Sequence, residues 1–442
     1  MKSLLEILAI LILIFLNDCN TTDPPPPPQN GEEPTLELTV EDVSCTEAWI
    51  TLTTNNLQLP TTVTLYKDTV GQTISLSTAD TVIYVDSLMP NQTYTFHTTI
   101  QSSSYASNEI TVTTMDTTSH DFTFETYTFG GTAGSSALYD VAIIDENNIW
   151  AVGEIYVADT SQNGYTMYNA VHWDGSEWEL ERITVSYNGN LISPPLYGIF
   201  AFSETEIWLS SGVPMKGDGN NWTQYHLFDM GILNQSDGYL TKIWGSSSSD
   251  LYFVGTLGTI AHYNGQSWQR IESGTELNIN DIWGDYNEKT GEWEILAVAS
   301  NILQSFEKQI IKINNTGTEI LNKDGVDETL SSVWFKPNRK YYVAGSGIYK
   351  KHIIYDHAWE GAPLDITHYF IYKLRGANIN DVAATGGFGE MLHFNGYSWR
   401  SFIEDTQLTS GNYYGIDIRD NTIVAVGINN PQAVITIGKR IN

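Results

Sequence analysis

Three histidines, His172, His262 and His393, recur at one place in a repeating pattern, and imidazole is a common ligand of zinc and copper. A shared ion would need their nitrogens near 2 Å. They fall in separate repeats, so packing is expected of them, with no metal and no other cofactor. The acidic runs 285–288 and 324–328 carry oxygen donors of the kind calcium takes, but neither has the spacing of a known loop. Recognition is better served elsewhere. The insertion 154–168 holds Tyr156, Asp159, Tyr165 and Tyr168, and the connection 186–195 adds Tyr187 and Asn188. Phenol rings beside acids and amides offer stacking area with hydrogen-bonding tips, a surface suited to a sugar or a peptide. The chain has no phosphate loop, dinucleotide fingerprint, nucleophile elbow or His-Glu-x-x-His motif. Two functions follow. The first is a non-catalytic binding or adhesion module whose ligand is an extracellular glycan or protein. The alternative is a hydrolase or lyase acting on polysaccharide, which would need two loop carboxylates roughly 5–10 Å apart, one with a raised pKa. The first is preferred because the repeats place no unusual catalytic group on an inner strand.

Composition limits what can hold such residues. The 442 residues include 52 acidic and 21 basic side chains, a formal charge of −31 that repels phosphate backbones; no nucleic-acid partner is expected. Aromatic residues make up 12% and there are 36 glycines, a mix suited to short strands and tight turns and opposed to disorder or coiled coil. The expected class is all-β, and a monomer.

Repeats dominate residues 122–442. His172-Trp173-Asp174-Gly175-Ser176-Glu177-Trp178, Asp218-Gly219-Asn220-Asn221-Trp222, His262-Tyr263-Asn264-Gly265-Gln266-Ser267-Trp268 and His393-Phe394-Asn395-Gly396-Tyr397-Ser398-Trp399 are variants of one turn. Trp178, Trp222 and Trp268 stand 44 and 46 residues apart, and Trp399 follows after 131, room for two further repeats. Repeat starts at 138, 196, 240, 279, 330, 371 and 413 average about 46 residues, the length of a four-stranded propeller blade. A seven-bladed β-propeller is expected, with the Asx-Gly pairs accepting positive φ and the Trp packing blade on blade. Residues 121–129 alternate like a strand but precede the first repeat, while the last repeat stops at its third strand; the two ends should complete one blade. The turn resembles the Asp box of sialidase-like propellers, but lacks the residue between Asp and Gly, and no Arg-Ile-Pro occurs, so sialidase activity is not carried over.

Residues 35–115 alternate with period two in six or seven short segments, as a β-sandwich requires. Leu88-Met89-Pro90-Asn91-Gln92-Thr93-Tyr94 resembles the fibronectin type III turn, with Tyr94 in the tyrosine-corner role and Trp49 as a core anchor. Ahead of it, Lys2 and the apolar run 7–16 form a segment too short to span a bilayer and suited to export. Leu16-Asn17-Asp18-Cys19 resembles a lipobox, which implies lipidation of Cys19, and residues 19–34, with prolines at 24–28, make a stiff tether. Cys45 then has no disulfide partner and is expected to be a buried apolar residue. Together the chain resembles secreted bacterial lipoproteins of the Bacteroidetes type that join a type III module to degenerate propeller repeats. That resemblance implies lipid anchoring to the outer membrane or cell surface, with signal peptide 1–18, type III-like domain 35–115 and propeller 122–442.

Overall fold

A computed structural model describes residues 33–100, 105–302, 306–355, 358–361, 366–406, 408 and 410–441. Cys19 and the prolines 24–28 lie outside them. The chain divides into two compact units, Met1–Asp116 and Thr117–Asn442.

In the first unit, one sheet orders Thr35–Val43, Ala48–Asn55 and Asp80–Val85; the other orders Val70–Leu76, Thr61–Lys67, Thr93–Ile100 and Ile110–Thr113. Their inward residues, among them Leu38, Ile50, Leu52, Val63, Phe96 and Val112, form one core. The Tyr94 hydroxyl accepts the Met89 N–H at 2.9 Å, fixing the turn between two strands. Trp49 departs from expectation. It is buried, but alternation sends Ala48, Ile50 and Leu52 into that core and Trp49 to the opposite face, 5.7 Å from the Tyr84 ring. Cys45 is buried, its thiol donating to the Asp116 carbonyl oxygen at 3.1 Å.

Among the described residues, the second unit contains seven four-stranded antiparallel sheets, here sheets 1–7. Their first strands are Ala137–Asp145, Gly198–Ser203, Leu240–Ser247, Ile279–Asn287, Leu330–Lys336, Ile371–Asn378 and Asn412–Arg419. Each first strand packs against the first strand of the next sheet, and the seventh packs against the first, so the sheets close a ring. The fourth strand of sheet 7 is Phe122–Phe129, paired antiparallel with Gln432–Arg440 along its whole length.

Repeated side chains fasten four of the sheets. Asp174, Asp218, Asn264 and Asn395 each accept, through Oδ1, the backbone N–H groups two and three residues on, at 2.6–3.1 Å. Only the following glycine takes positive φ, 94° at Gly175 and 85° at Gly265. The Asx residues were expected to share that role; instead they cap the turn with their side chains. The Trp after each turn meets an aromatic residue of the preceding sheet: Trp178 meets Tyr127, Trp222 meets Trp150, Trp268 meets Trp208, and Trp399 meets Tyr342. The three histidines do the same work one strand inward. His262 and His393 bond Asp250 and Asp381 at 2.7 Å, and His172 bonds Asn148 at 3.0 Å, each clamping a third strand to a second.

Deleting residues 120–130 removes the strand that closes sheet 7 and exposes the apolar faces beside it. The expected result is a thermal midpoint lowered by roughly 10 °C or more, or no cooperative transition; an unchanged midpoint in calorimetry would show that the ring does not depend on this pairing.

Candidate functional site

The second residue of each repeat stands out. Register shifts skip Tyr139, Thr241, Asn280, Ser331, Tyr372 and Tyr414, so each is a bulge residue at the start of its first strand. A bulge re-aims a side chain. Glycine opposite the bulge makes the crowding tolerable: a Cβ on Gly153 or Gly255 would lie 2.1 Å or 1.8 Å from the Ala137 or Tyr239 carbonyl oxygen.

In sheets 4 and 5 the position is spent on structure, Asn280 donating to Leu330 O at 2.8 Å and the Ser331 hydroxyl donating to Ile371 O. In sheets 6, 7 and 1 it is tyrosine, and in sheet 2 the equivalent residue is Tyr197. Ring centroids run Tyr372 to Tyr414 at 5.1 Å, Tyr414 to Tyr139 at 6.1 Å, and Tyr139 to Tyr197 at 5.7 Å. These half-buried rings form an arc over one mouth of the ring. Glu154 sits against it, its Oε1 accepting the Tyr139 hydroxyl at 2.6 Å and its Oε2 the Tyr156 hydroxyl at 2.8 Å. Burial, with this hydrogen bond adding to it, pushes the Tyr156 hydroxyl up to about 12.

The next residue of each repeat is Asp140, Gly198, Lys242, Asp281, Ser332, Lys373 or Gly415, and the charged ones meet across the ring. Asp281 is fully enclosed, bonded by Lys373 Nζ at 2.8 Å, Arg375 Nη2 at 2.7 Å, Arg375 Nη1 at 2.8 Å and Ser332 Oγ at 2.6 Å. Burial alone would raise its pKa, but the cations Arg375 and Lys373 outweigh it and hold the carboxyl well below the usual range. Burial, helped by Arg375, lowers Lys373 to about 8. Lys242 reaches Asp140 at 3.7 Å. Burial raises Asp417 to about 6, although its oxygens accept the Ile143 and Ile418 N–H groups. Asp140, Lys373, Arg375 and Asp417 line a cavity of about 170 Å³, together with Phe200, Ile243 and Trp283. The inner strands therefore carry paired charges that the repeat pattern did not reveal. Reading repeats for their common spacing hides the position where they differ.

The sequence-derived site residues divide. Tyr156 and Tyr165 meet edge to face at 5.6 Å. Asp159 caps the intervening turn, accepting Ser161 N–H at 2.9 Å and bonding Thr166. Tyr168 packs toward the sheet 1 core, opposite Ile155. Tyr187 stacks on His226 at 4.3 Å, and Asn188 holds a positive φ in the hairpin joining Val185–Tyr187 to Asn190–Ile192. The four tyrosines thus do not make one patch. The segments expected to be long loops are hairpins instead: Asn148–Ala158 and Tyr165–Trp173 extend sheet 1 outward because Ile155 and Val157 continue its alternation. The unforeseen Tyr139, Tyr197, Tyr372 and Tyr414 carry the arc. Their signal was present as Leu138-Tyr139, Leu196-Tyr197, Ile371-Tyr372 and Tyr413-Tyr414 at four repeat starts.

No protein-family model and no curated protein matches the chain. Solved structures do. A structure described as YCF48 bound to D1 peptide covers 74% of this chain and 99% of its own at 17% identity, TM-score 0.53. YCF48 from Cyanidioschyzon merolae covers 71% and 98% at 14% identity, TM-score 0.50. A catalytically inactive virginiamycin B lyase from Staphylococcus aureus with quinupristin covers 72% and 100% at 11% identity, TM-score 0.51. These likenesses define the ring of sheets as a β-propeller.

Asp281→Ala would leave Lys373 and Arg375 buried without their counter-charge, and should cost about 3–5 kcal/mol in denaturant unfolding; a loss under about 1 kcal/mol would show the network to be dispensable. Asp417 yields a pH test. Its folded pKa lies above the ordinary 3.8, so the folded state holds the proton more tightly than the unfolded one. That contribution is full below about pH 4 and is lost as pH rises through about 6. Asp417→Asn should accordingly flatten the dependence of the thermal midpoint between pH 4 and pH 7, and an unchanged slope would refute this assignment.

Proposed function

We propose that this chain is a cell-surface lipoprotein in which a fibronectin type III-like sandwich carries a seven-bladed propeller, and that the propeller is a non-catalytic binding module for a protein or peptide. The observation that carries the reading is the tyrosine arc, Tyr372, Tyr414, Tyr139 and Tyr197, at one mouth of the ring. Tyrosine supplies large contact area with little rotamer freedom to lose. Loops and strand ends held by a rigid scaffold are where such surfaces are useful. The peptide in the YCF48 structure supports a protein ligand over a glycan.

Hydrolysis or lysis of polysaccharide is less well supported. Acids do converge on the channel, but Asp281 is neutralised by two cations, Asp140 faces Lys242, and Asp417 is held by backbone amides. Lipid anchoring rests on the lipobox-like 16–19 and the proline tether; the intact mass of membrane-extracted protein would carry a lipidated Cys19 as first residue, and an unmodified Cys19 would exclude it.

A peptide array probed with the soluble chain supplies ligands. Alanine at Tyr139, Tyr372 or Tyr414 should then weaken binding by about 1 kcal/mol or more each, while alanine at Asn264 or Asn395, in turns at the far ends of the strands, should leave it unchanged. Equal losses from the turn variants, with folding intact, would mean that the ligand uses the other face.

A further inference from the structure

We propose that the arc contains a cage for an organic cation, a lysine or arginine side chain of the bound protein, centred on Glu154. This inference rests on the peptide-binding reading and makes it specific.

Three observations converge. Glu154 is tied to two phenols, Tyr139 and Tyr156, at 2.6 Å and 2.8 Å. Rings surround it: Tyr197 stands 5.7 Å from Tyr139, and Tyr165 stands 5.6 Å from Tyr156 with its face turned by 69°. Among the described residues no lysine or arginine pairs with Glu154. The other carboxylates near the axis are already answered, Asp281 by Lys373 and Arg375, Asp140 by Lys242, and Asp417 by the Ile143 and Ile418 N–H groups. Glu154 is a half-buried carboxylate whose neighbours are phenols.

That arrangement selects a cation. A carboxylate has about four acceptor sites, so two remain after the phenols are bonded. Both phenols spend their protons on it, which leaves their π faces and oxygen lone pairs as the surface offered to a guest. A cation over an aromatic face is attracted by the negative face of the ring, and the carboxylate adds a charge-assisted hydrogen bond. An anionic guest would meet only repulsion, and a neutral apolar one would leave the carboxylate desolvated without compensation. The formal charge of −31 favours the approach of a basic partner over the whole surface. Tyr165, 39% exposed, and Tyr239, 67% exposed, keep the rim open to a side chain arriving from a larger molecule.

The test uses three labelled nonapeptides of Gly, Ser and Ala, identical except for a central lysine, arginine or norleucine, titrated by fluorescence anisotropy onto the soluble chain at 150 mM salt, together with the neutral and acidic peptides of the array. The lysine and arginine peptides should bind at least tenfold more tightly than the norleucine peptide. Glu154→Gln should reduce that preference below threefold, whereas Glu177→Gln, an exposed acid of a turn, should leave it intact. Tyr156→Phe, which keeps the ring and releases a carboxylate oxygen, should retain it within twofold. If Glu154→Gln fails to fold, Tyr197→Leu takes its place with the same expected loss. Equal binding of the norleucine and lysine peptides, or a preference that survives loss of Glu154 or Tyr197, overturns the cation cage. In that case neutral or acidic array peptides that still lose affinity in Tyr372→Ala leave the peptide-binding reading standing. Absence of binding by every peptide overturns both.

Discussion

The propeller depends on closure. A four-stranded sheet of this kind is apolar on both faces: Ile149, Ala151, Ile155 and Val171 of sheet 1 pack toward sheet 7, and Trp150, Val152 and Ala170 pack toward sheet 2. Neither face is covered unless a neighbour stands on each side, so no sheet is stable alone. The pairing of Phe122–Phe129 with Gln432–Arg440 turns a row of seven into a ring. It fastens the two ends of the repeat region to each other by backbone hydrogen bonds, and it covers the edge of Gln432–Arg440 with an outer strand.

Closure also creates the axis, and the axis has its own electrostatic problem. Seven first strands bring one residue each toward a narrow space, where like charges would repel in a low-dielectric setting. The ring meets this with opposite charges and small residues. Asp140 reaches Lys242 across sheet 2, where Gly198 stands, and Asp281 reaches Lys373 and Arg375 across sheet 5, where Ser332 stands. A side chain at Gly198 would press on the Thr241 carbonyl oxygen, so glycine is required there. Ser332 does more than make room, since its hydroxyl donates to Asp281 and accepts the Leu374 N–H at 2.9 Å. Three sheets are joined by one carboxylate. Such a network gives little net stability over an apolar filling of equal volume, but removing any one member leaves charge stranded, so its composition is constrained.

Most of this architecture was legible from spacing. The Asx-Gly-x-x-Trp turn and the apolar starts have a period, and the expected starts at 240, 279, 330 and 371 coincide with observed first strands. Closure was legible because a strand-like segment preceded the first repeat and a strand was missing from the last. The site was less legible, for a physical reason. Periodicity reports what every sheet needs, which is packing, and Trp178 or Asn264 stand out for that purpose alone. A binding surface is built from what one sheet does differently, and at the bulge position the difference between Tyr139, Asn280 and Ser331 becomes meaningful only once the register shows all three aimed at the same mouth. Trp49 illustrates the same limit. Its burial followed from its type, but which face it occupies depended on the parity of the strand, with Ile50 taking the core.

The division of labour between the two ends of the strands explains why tyrosine gathers at one mouth. At the outer turns Asp174, Asn264 and Asn395 must each spend a side-chain oxygen on two backbone N–H groups, so those positions are not free to vary. At the bulge, the residue is excluded from the ladder, and its side chain is bound by no pairing requirement. Where Asn280 or Ser331 stands, it ties neighbouring first strands together, and the ring is held on that side by polar bonds to backbone. Where tyrosine stands, the same task is left to the strand and to ring-on-ring contact, and the hydroxyl becomes available for another partner. In sheet 1 that partner is Glu154, placed by the outward extension of Asn148–Ala158 and shared with Tyr156 on the same strand. The longer hairpin of sheet 1 therefore brings the carboxylate and a further phenol to the one sector of the mouth where the bulge positions are aromatic.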